Sequence, residues 1–190
     1  MAPGESSPAK KAPQPLYLVQ RFVNSIDLES GEDELVSPEA LRSWFAERGL
    51  MDAGEAVGPA DLRRAVDVRE GLRAVLLHNN GHPLDRQRVE RLDRAVRRAG
   101  VHLRFEPGRD PELVPDAEGV DGAIARLMAI VAAAVEHGRW ERLKACPREA
   151  CEWAFYDKSK NRSGRWCKME VCGNVEKARA FRERRRAASR

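Results

Sequence analysis

The chain has no apolar run approaching the roughly 18 residues that cross a bilayer, so no membrane partner is expected. It has no internal repeat, which excludes stacked-repeat architectures. It also has no Gly-rich phosphate loop and no nucleophile elbow. Its four histidines, His78, His82, His102 and His137, show no ligand-like spacing. Together these absences remove the commoner routes to catalysis, and an enzyme is not expected. The first fourteen residues are rich in Ala, Pro, Lys and Ser but lack the apolar core of a signal peptide. Residues 1–14 therefore read as a disordered tail. A cytoplasmic location is expected, where thiols stay reduced.

Cysteine is scarce, and its placement organises the rest. All four lie near the C-terminus, as Cys146 and Cys151, then Cys167 and Cys172. Both pairs have C-x4-C spacing, and 15 residues separate them. Two loops that each supply two thiolates make a tetrahedral zinc site; the alternatives are two disulfides or four unrelated thiols. Catalytic zinc keeps an open coordination position. Four thiolates leave none, so one structural Zn2+ is expected.

Between the pairs, Glu152–Tyr156 is aromatic-rich and partly alternating, Asp157–Gly164 is polar turn material, and Arg165–Cys167 brings the chain back. A β-hairpin is expected there, with Trp153, Phe155 and Trp166 as its small core. Asn174 is placed to cap a helix that begins after Cys172. Val175, Ala178 and Phe181 give that helix one narrow apolar stripe among basic faces. Charge is divided along the chain. Residues 139–190 hold 16 Lys or Arg against 7 Asp or Glu, a net of +9, and the remainder nets −5. A polyanion-binding surface belongs at the basic end.

The run Trp166-Cys-Lys-Met-Glu-Val-Cys-Gly-Asn174, followed by Lys177-Ala-Arg179 and an Arg-rich end, resembles the CGNR zinc finger. In that family the finger follows an N-terminal ABATE domain, associated with stress-induced transcription regulation. Phe22-Val-Asn-Ser25 resembles the start of ABATE, and the resemblance runs from about Leu16 onward. It implies that Cys146, Cys151, Cys167 and Cys172 are the zinc ligands and that the protein regulates transcription. Val175 stands where the family name has its final Arg. That leaves the zinc site complete and one DNA contact open.

Upstream, the periodicity predicts helices. Leu18, Val19, Phe22, Val23 and Ile26 share a face in the first. Ser37 and Pro38 open the second, whose inward side is Leu41, Trp44 and Phe45. The third runs from about Pro59 to Leu77, with Leu62, Ala65, Val66, Leu72, Val75 and Leu76 in its stripe. The fourth reaches about Ala99 with Val89, Leu92 and Val96 inward. A short hairpin flanks Pro107-Gly108. The last long helix spans roughly Val120 to Leu143, lined by Ile124, Leu127, Val131 and Val135. The expected fold is mostly α: a helical domain at 15–139 with a small β-hairpin, then a treble-clef or zinc-ribbon-like module at 140–190, made of a β-hairpin and a basic helix.

Double-stranded DNA is the expected partner. Asn174, Lys177 and Arg179 at the start of the basic helix are the candidate base readers, Arg162, Arg165 and Lys168 touch backbone, and Arg182 further along the helix is a further nucleic-acid contact. An RNA-binding or protein-interaction adaptor is the alternative, since four-cysteine ribbons serve there too. A homodimer reading two half-sites fits but is not demanded. Arg69 sits inside the apolar stripe of the third helix, where a guanidinium needs a partner. The partner is an acid such as Asp27 or Glu39. Alternatively the side chain reaches outward, or Arg69 lines a pocket with Asn24 and Trp44 for a small anionic effector.

Overall fold

The computed structural model describes residues 10–188. Among them are six α-helices: α1 (Leu16–Val23), α2 (Pro38–Ala46), α3 (Pro59–Asn79), α4 (Arg86–Val96), α5 (Gly119–Glu136) and α6 (Asn174–Ala188). Two antiparallel hairpins pair β1 (Val101–Arg104) with β2 (Glu112–Pro115) and β3 (Leu143–Ala145) with β4 (Ala154–Tyr156). No helix among the described residues is long and apolar enough to cross a membrane.

α2 and α3 start where side chains can satisfy open amides. Ser37 Oγ accepts from the Ala40 amide at the head of α2, with Pro38 in the first turn. Asp61 reaches back to the Gly58 amide at the head of α3. α1, α2, α4, α5 and β3 all pack on α3. Phe22, Trp44 and Phe45 stack beside it with ring centroids 5.5–5.8 Å apart, in the edge and offset geometries aromatic rings favour.

The buried side of α3 is wider than one stripe. Ala65, Val68, Leu72, Ala74 and Leu76 are buried, whereas Val66 and Val75 are only half-buried. The cause is α4, which covers a second side. It passes so close at Gly71 that a Cβ there would lie 2.4 Å from Leu92 Cβ.

Three further departures from expectation lie in the backbone. α5 ends at Glu136, short of Leu143: Gly138 turns left-handed at φ 62°, and a 3-10 turn at Trp140–Arg142 leads into β3. There Ala134 faces inward, and Val135 is 56% exposed. Lys10–Gln14, expected in the tail, lie against α1, with Ala12 buried and its amide bonded to Gln20 Oε1 at 2.8 Å; residues 1–9 of that tail lie outside the described residues. Finally, Glu152–Tyr156 does not pair with Arg165–Cys167. β4 pairs instead with β3, ahead of the first cysteine, in the register Leu143↔Tyr156, Lys144↔Phe155 and Ala145↔Ala154.

Strand alternation explains that last choice. Successive side chains point to opposite faces. Leu143, Ala145, Ala154 and Tyr156 fall on one face and join the helical core. Phe155 falls on the other and packs with the cysteines. The β3–β4 hairpin is thus a sheet shared by two cores, and the expected boundary near residue 140 lies just ahead of it.

Candidate metal centre

β3 delivers Cys146 directly. The Cys146 amide donates to the Trp153 carbonyl at 3.0 Å and the Cys151 amide to the Arg148 carbonyl at 2.8 Å. Glu152 takes a left-handed φ of 42°, which turns the chain from this knuckle into β4. The second pair is held by a π-helical turn at Met169–Gly173, where the Cys172 amide donates to the Lys168 carbonyl at 3.0 Å. Gly173 is required by close approach: a Cβ there would stand 2.4 Å from Met169 Sδ and 3.1 Å from Trp166 Cδ1. Phe155, with half-buried Trp153 and Trp166, packs around the cysteines, as the sequence suggests.

All four Sγ atoms lie within 4.8 Å of one another. Cys151 to Cys167 and Cys167 to Cys172 are each 3.6 Å apart. A tetrahedral zinc with bonds of about 2.3 Å has sulfur–sulfur edges of about 3.8 Å, so the four thiols fit one ion. No disulfide joins them. As thiols they compete for charge. Hydrogen bonds from Cys151 and Cys167 pull Cys146 far down, and the same contacts push Cys151 and Cys167 up. Only a divalent cation lets all four ionise together. The four soft donors fit one structural zinc, with no position left for water or substrate.

Arg148 is a neighbour the sequence did not reveal. Its guanidinium donates to Cys172 Sγ at 3.8 Å and to Glu29 Oε1 at 2.8 Å. Glu29 first, then the sulfur, hold it above the ordinary arginine range. Such outer-shell bonds orient metal ligands.

Buried amides and cations tie the hairpin to the helices. Asn24 Nδ2 donates to the Ala154 carbonyl at 2.9 Å, and the Ala154 amide donates back to Asn24 Oδ1 at 2.7 Å. Gln20 Nε2 also donates to that carbonyl, at 3.0 Å. Arg73, fully buried, donates to the carbonyls of Val23 at 2.6 Å and Glu152 at 3.0 Å. Asn80 Nδ2 bridges the carbonyls of Ala145 and Arg165, both at 2.8 Å. Lys144 Nζ reaches Asp157 Oδ2 at 2.8 Å and the Arg162 carbonyl at 2.6 Å. The signal for these residues was weak. A lone Asn or Arg inside an apolar helical pattern says that a partner exists, not which one.

The other candidates fall in two places. Arg162, Arg165, Lys168, Asn174, Lys177, Arg179 and Arg182 are all exposed on the zinc module. Arg162 pairs with Glu141 at 2.6 Å, and Arg179 pairs with Glu176 at 3.1 Å and Glu183 at 3.7 Å. Asn174 is not an N-cap: helical winding has already begun at Met169, and its Nδ2 donates to the Glu170 carbonyl at 3.1 Å. Val175 and Phe181 are 44% and 55% exposed, so the apolar stripe of α6 is uncovered.

Asn24, Trp44 and Arg69 each engage protein partners. Asn24 is spent on β4, and Trp44 Nε1 donates to Glu34 Oε2 at 2.8 Å. Arg69 grips both oxygens of Asp33, at 2.7 and 3.0 Å, and bonds Glu70 at 2.9 Å; its acid is therefore Asp33, not Asp27 or Glu39. The cavity beside Asn24 holds about 110 Å³ and is walled by Asp27, Glu32, Asp33 and Glu34, a sign that repels anions.

Fold and site together define a helical domain with a built-in four-thiolate zinc finger. A family model described as "CGNR zinc finger" matches residues 142–185. A second, ABATE, described as "Putative stress-induced transcription regulator", matches residues 17–139. The chain belongs to the ABATE family and carries a C-terminal CGNR zinc finger; both descriptions are non-enzymatic in kind. No curated protein matches it.

Proposed function

We propose that this chain is a DNA-binding transcription regulator of the cytoplasm and not an enzyme. Residues 140–190 contact duplex DNA, and residues 15–139 hold the finger and carry any sensing or dimerisation role. The observation that supports this most is a set of unpaired cations. Arg165, Lys168, Lys177 and Arg182 are exposed and have no ion-pair partner among the described residues, and they lie in the segment 139–190 that carries a net charge of +9. Free cations on a zinc-fixed frame suit phosphates, whose counterions are released on binding. Asn174, Lys177 and Arg179 read bases from the start of α6, while Arg162, Arg165, Lys168 and Arg182 meet backbone. A homodimer would place two such helices on two half-sites.

The exposed Val175 and Phe181 on α6 support the second reading, an adaptor that binds a protein or RNA. A salt titration of zinc-loaded protein against duplex DNA and single-stranded RNA separates the two. DNA regulation predicts tighter, steeply salt-dependent duplex binding that Lys177→Ala weakens. Equal or better RNA binding, or none to either, contradicts it.

A further inference from the structure

A groove of about 510 Å³ lies beside the third ligand, walled by Lys10, Ser163, Arg165, Trp166, Lys168 and Glu170. Its volume is within the range of natural ligand sites. Three cations face one acid there, and none of the three forms an ion pair among the described residues.

Lys10 is the unexpected wall. It comes from the opposite end of the sequence, and its position is fixed. Its carbonyl accepts from Gln20 Nε2 at 3.2 Å, and its ammonium sits 5.0 Å from the centre of the Phe155 ring, in the zinc core. The rest of the lining is anchored through its backbone. The Gly164 amide donates to Asp157 Oδ2 at 2.8 Å, and the Arg165 carbonyl accepts from Asn80. Cations from two distant parts of the chain line one trough with a half-buried indole, which suits an anionic chain with sugar units: its phosphates meet the charges and its sugar edge meets the ring.

We infer that this groove seats the sugar–phosphate backbone of bound duplex DNA and that Lys10 is a phosphate contact in it. The inference rests on the DNA-binding reading above and extends it to a residue outside the finger. The N-terminal arm and the zinc module then form one continuous binding surface.

The test uses full-length, zinc-loaded protein and fluorescence anisotropy on duplex DNA over a fourfold range of salt. Lys10→Ala should lower the slope of log affinity against log salt by about 0.9, about a 3.5-fold smaller loss across that range. Lys10→Arg should restore it. Lys11→Ala is the matched control, because Lys11 stands over Tyr17 at 5.4 Å and not in the groove; it should leave the slope unchanged. Equal effects of Lys10→Ala and Lys11→Ala would reduce the arm to general charge and overturn the groove. If Lys177→Ala weakens binding while Lys10→Ala matches wild type, the groove falls and the DNA reading stands. If wild type does not bind duplex DNA, both fall.

Discussion

Asn24→Ala probes the shared hairpin at its narrowest point. Asn24 and Ala154 are both buried, and the Asn24 amide supplies the Ala154 amide with its acceptor. Truncation leaves that N–H unpaired inside the protein, while the Ala154 carbonyl keeps its bond from Gln20. An unsatisfied buried donor costs about 1–3 kcal/mol, and the small void adds to it. The expected loss is about 2–3 kcal/mol, measured as a lower guanidinium midpoint at unchanged m-value. A second readout follows from position. β4 begins three residues after Cys151, so loosening it should also speed zinc transfer to a chromogenic chelator. A loss below about 0.5 kcal/mol, or unchanged zinc transfer, would refute the claim that the helical domain holds the finger's sheet.

Burial alone would raise the Asp157 carboxyl, but Lys144 and Ser159 outweigh it and hold the group at about 2. The folded value lies below the unfolded one of about 3.9, so a contribution of about 2 kcal/mol is present above pH 4 and lost as pH falls toward 2. Comparing urea unfolding of wild type and Asp157→Asn at matched pH cancels shared zinc loss; the variant should be weaker at pH 7, with the gap closing in acid. Gly173→Ala should cost about 1 kcal/mol and weaken zinc retention, because a Cβ at 2.4 Å from Met169 Sδ and 3.1 Å from Trp166 Cδ1 forces both side chains to shift beside the ligands; unchanged retention in a chelator competition would contradict the close packing. Arg69→Met should cost about 2–3 kcal/mol by removing the cation paired with Asp33, tempered because Asp33 is partly exposed and keeps its bond from the Leu35 amide. Added phosphate or small carboxylates should not shift wild-type melting, and a shift abolished in Arg69→Met would revive the effector site.

What the sequence made legible was local. Ser37, Pro38 and the Leu41-Trp44-Phe45 side of α2 appear where capping and periodicity put them. The paired C-x4-C spacing carried the metal centre by itself. The partner of β4 was not legible, because Glu152–Tyr156 alternates equally well with a strand on either side. Its true partner, Leu143-Lys144-Ala145, is three residues long and follows an apolar helical run that masks it. Gly138 was the signal that the helix stops early. Arg73 and Arg148 escaped for a different reason. Their partners, Glu152, Glu29 and Cys172, are distant in sequence, and residue type alone does not say which carbonyl or sulfur a guanidinium will find.

Hydrogen exchange with and without zinc, on protein first shown by metal analysis to carry one zinc per chain, is the most direct test. A sheet shared by two cores predicts that chelation strips protection from β3 and β4 and also from α1 and the end of α3, where Gln20, Asn24, Asn79 and Asn80 grip the hairpin. Loss confined to residues 146–188, with α1 and α3 fully protected, would show an independent finger and contradict the fused core.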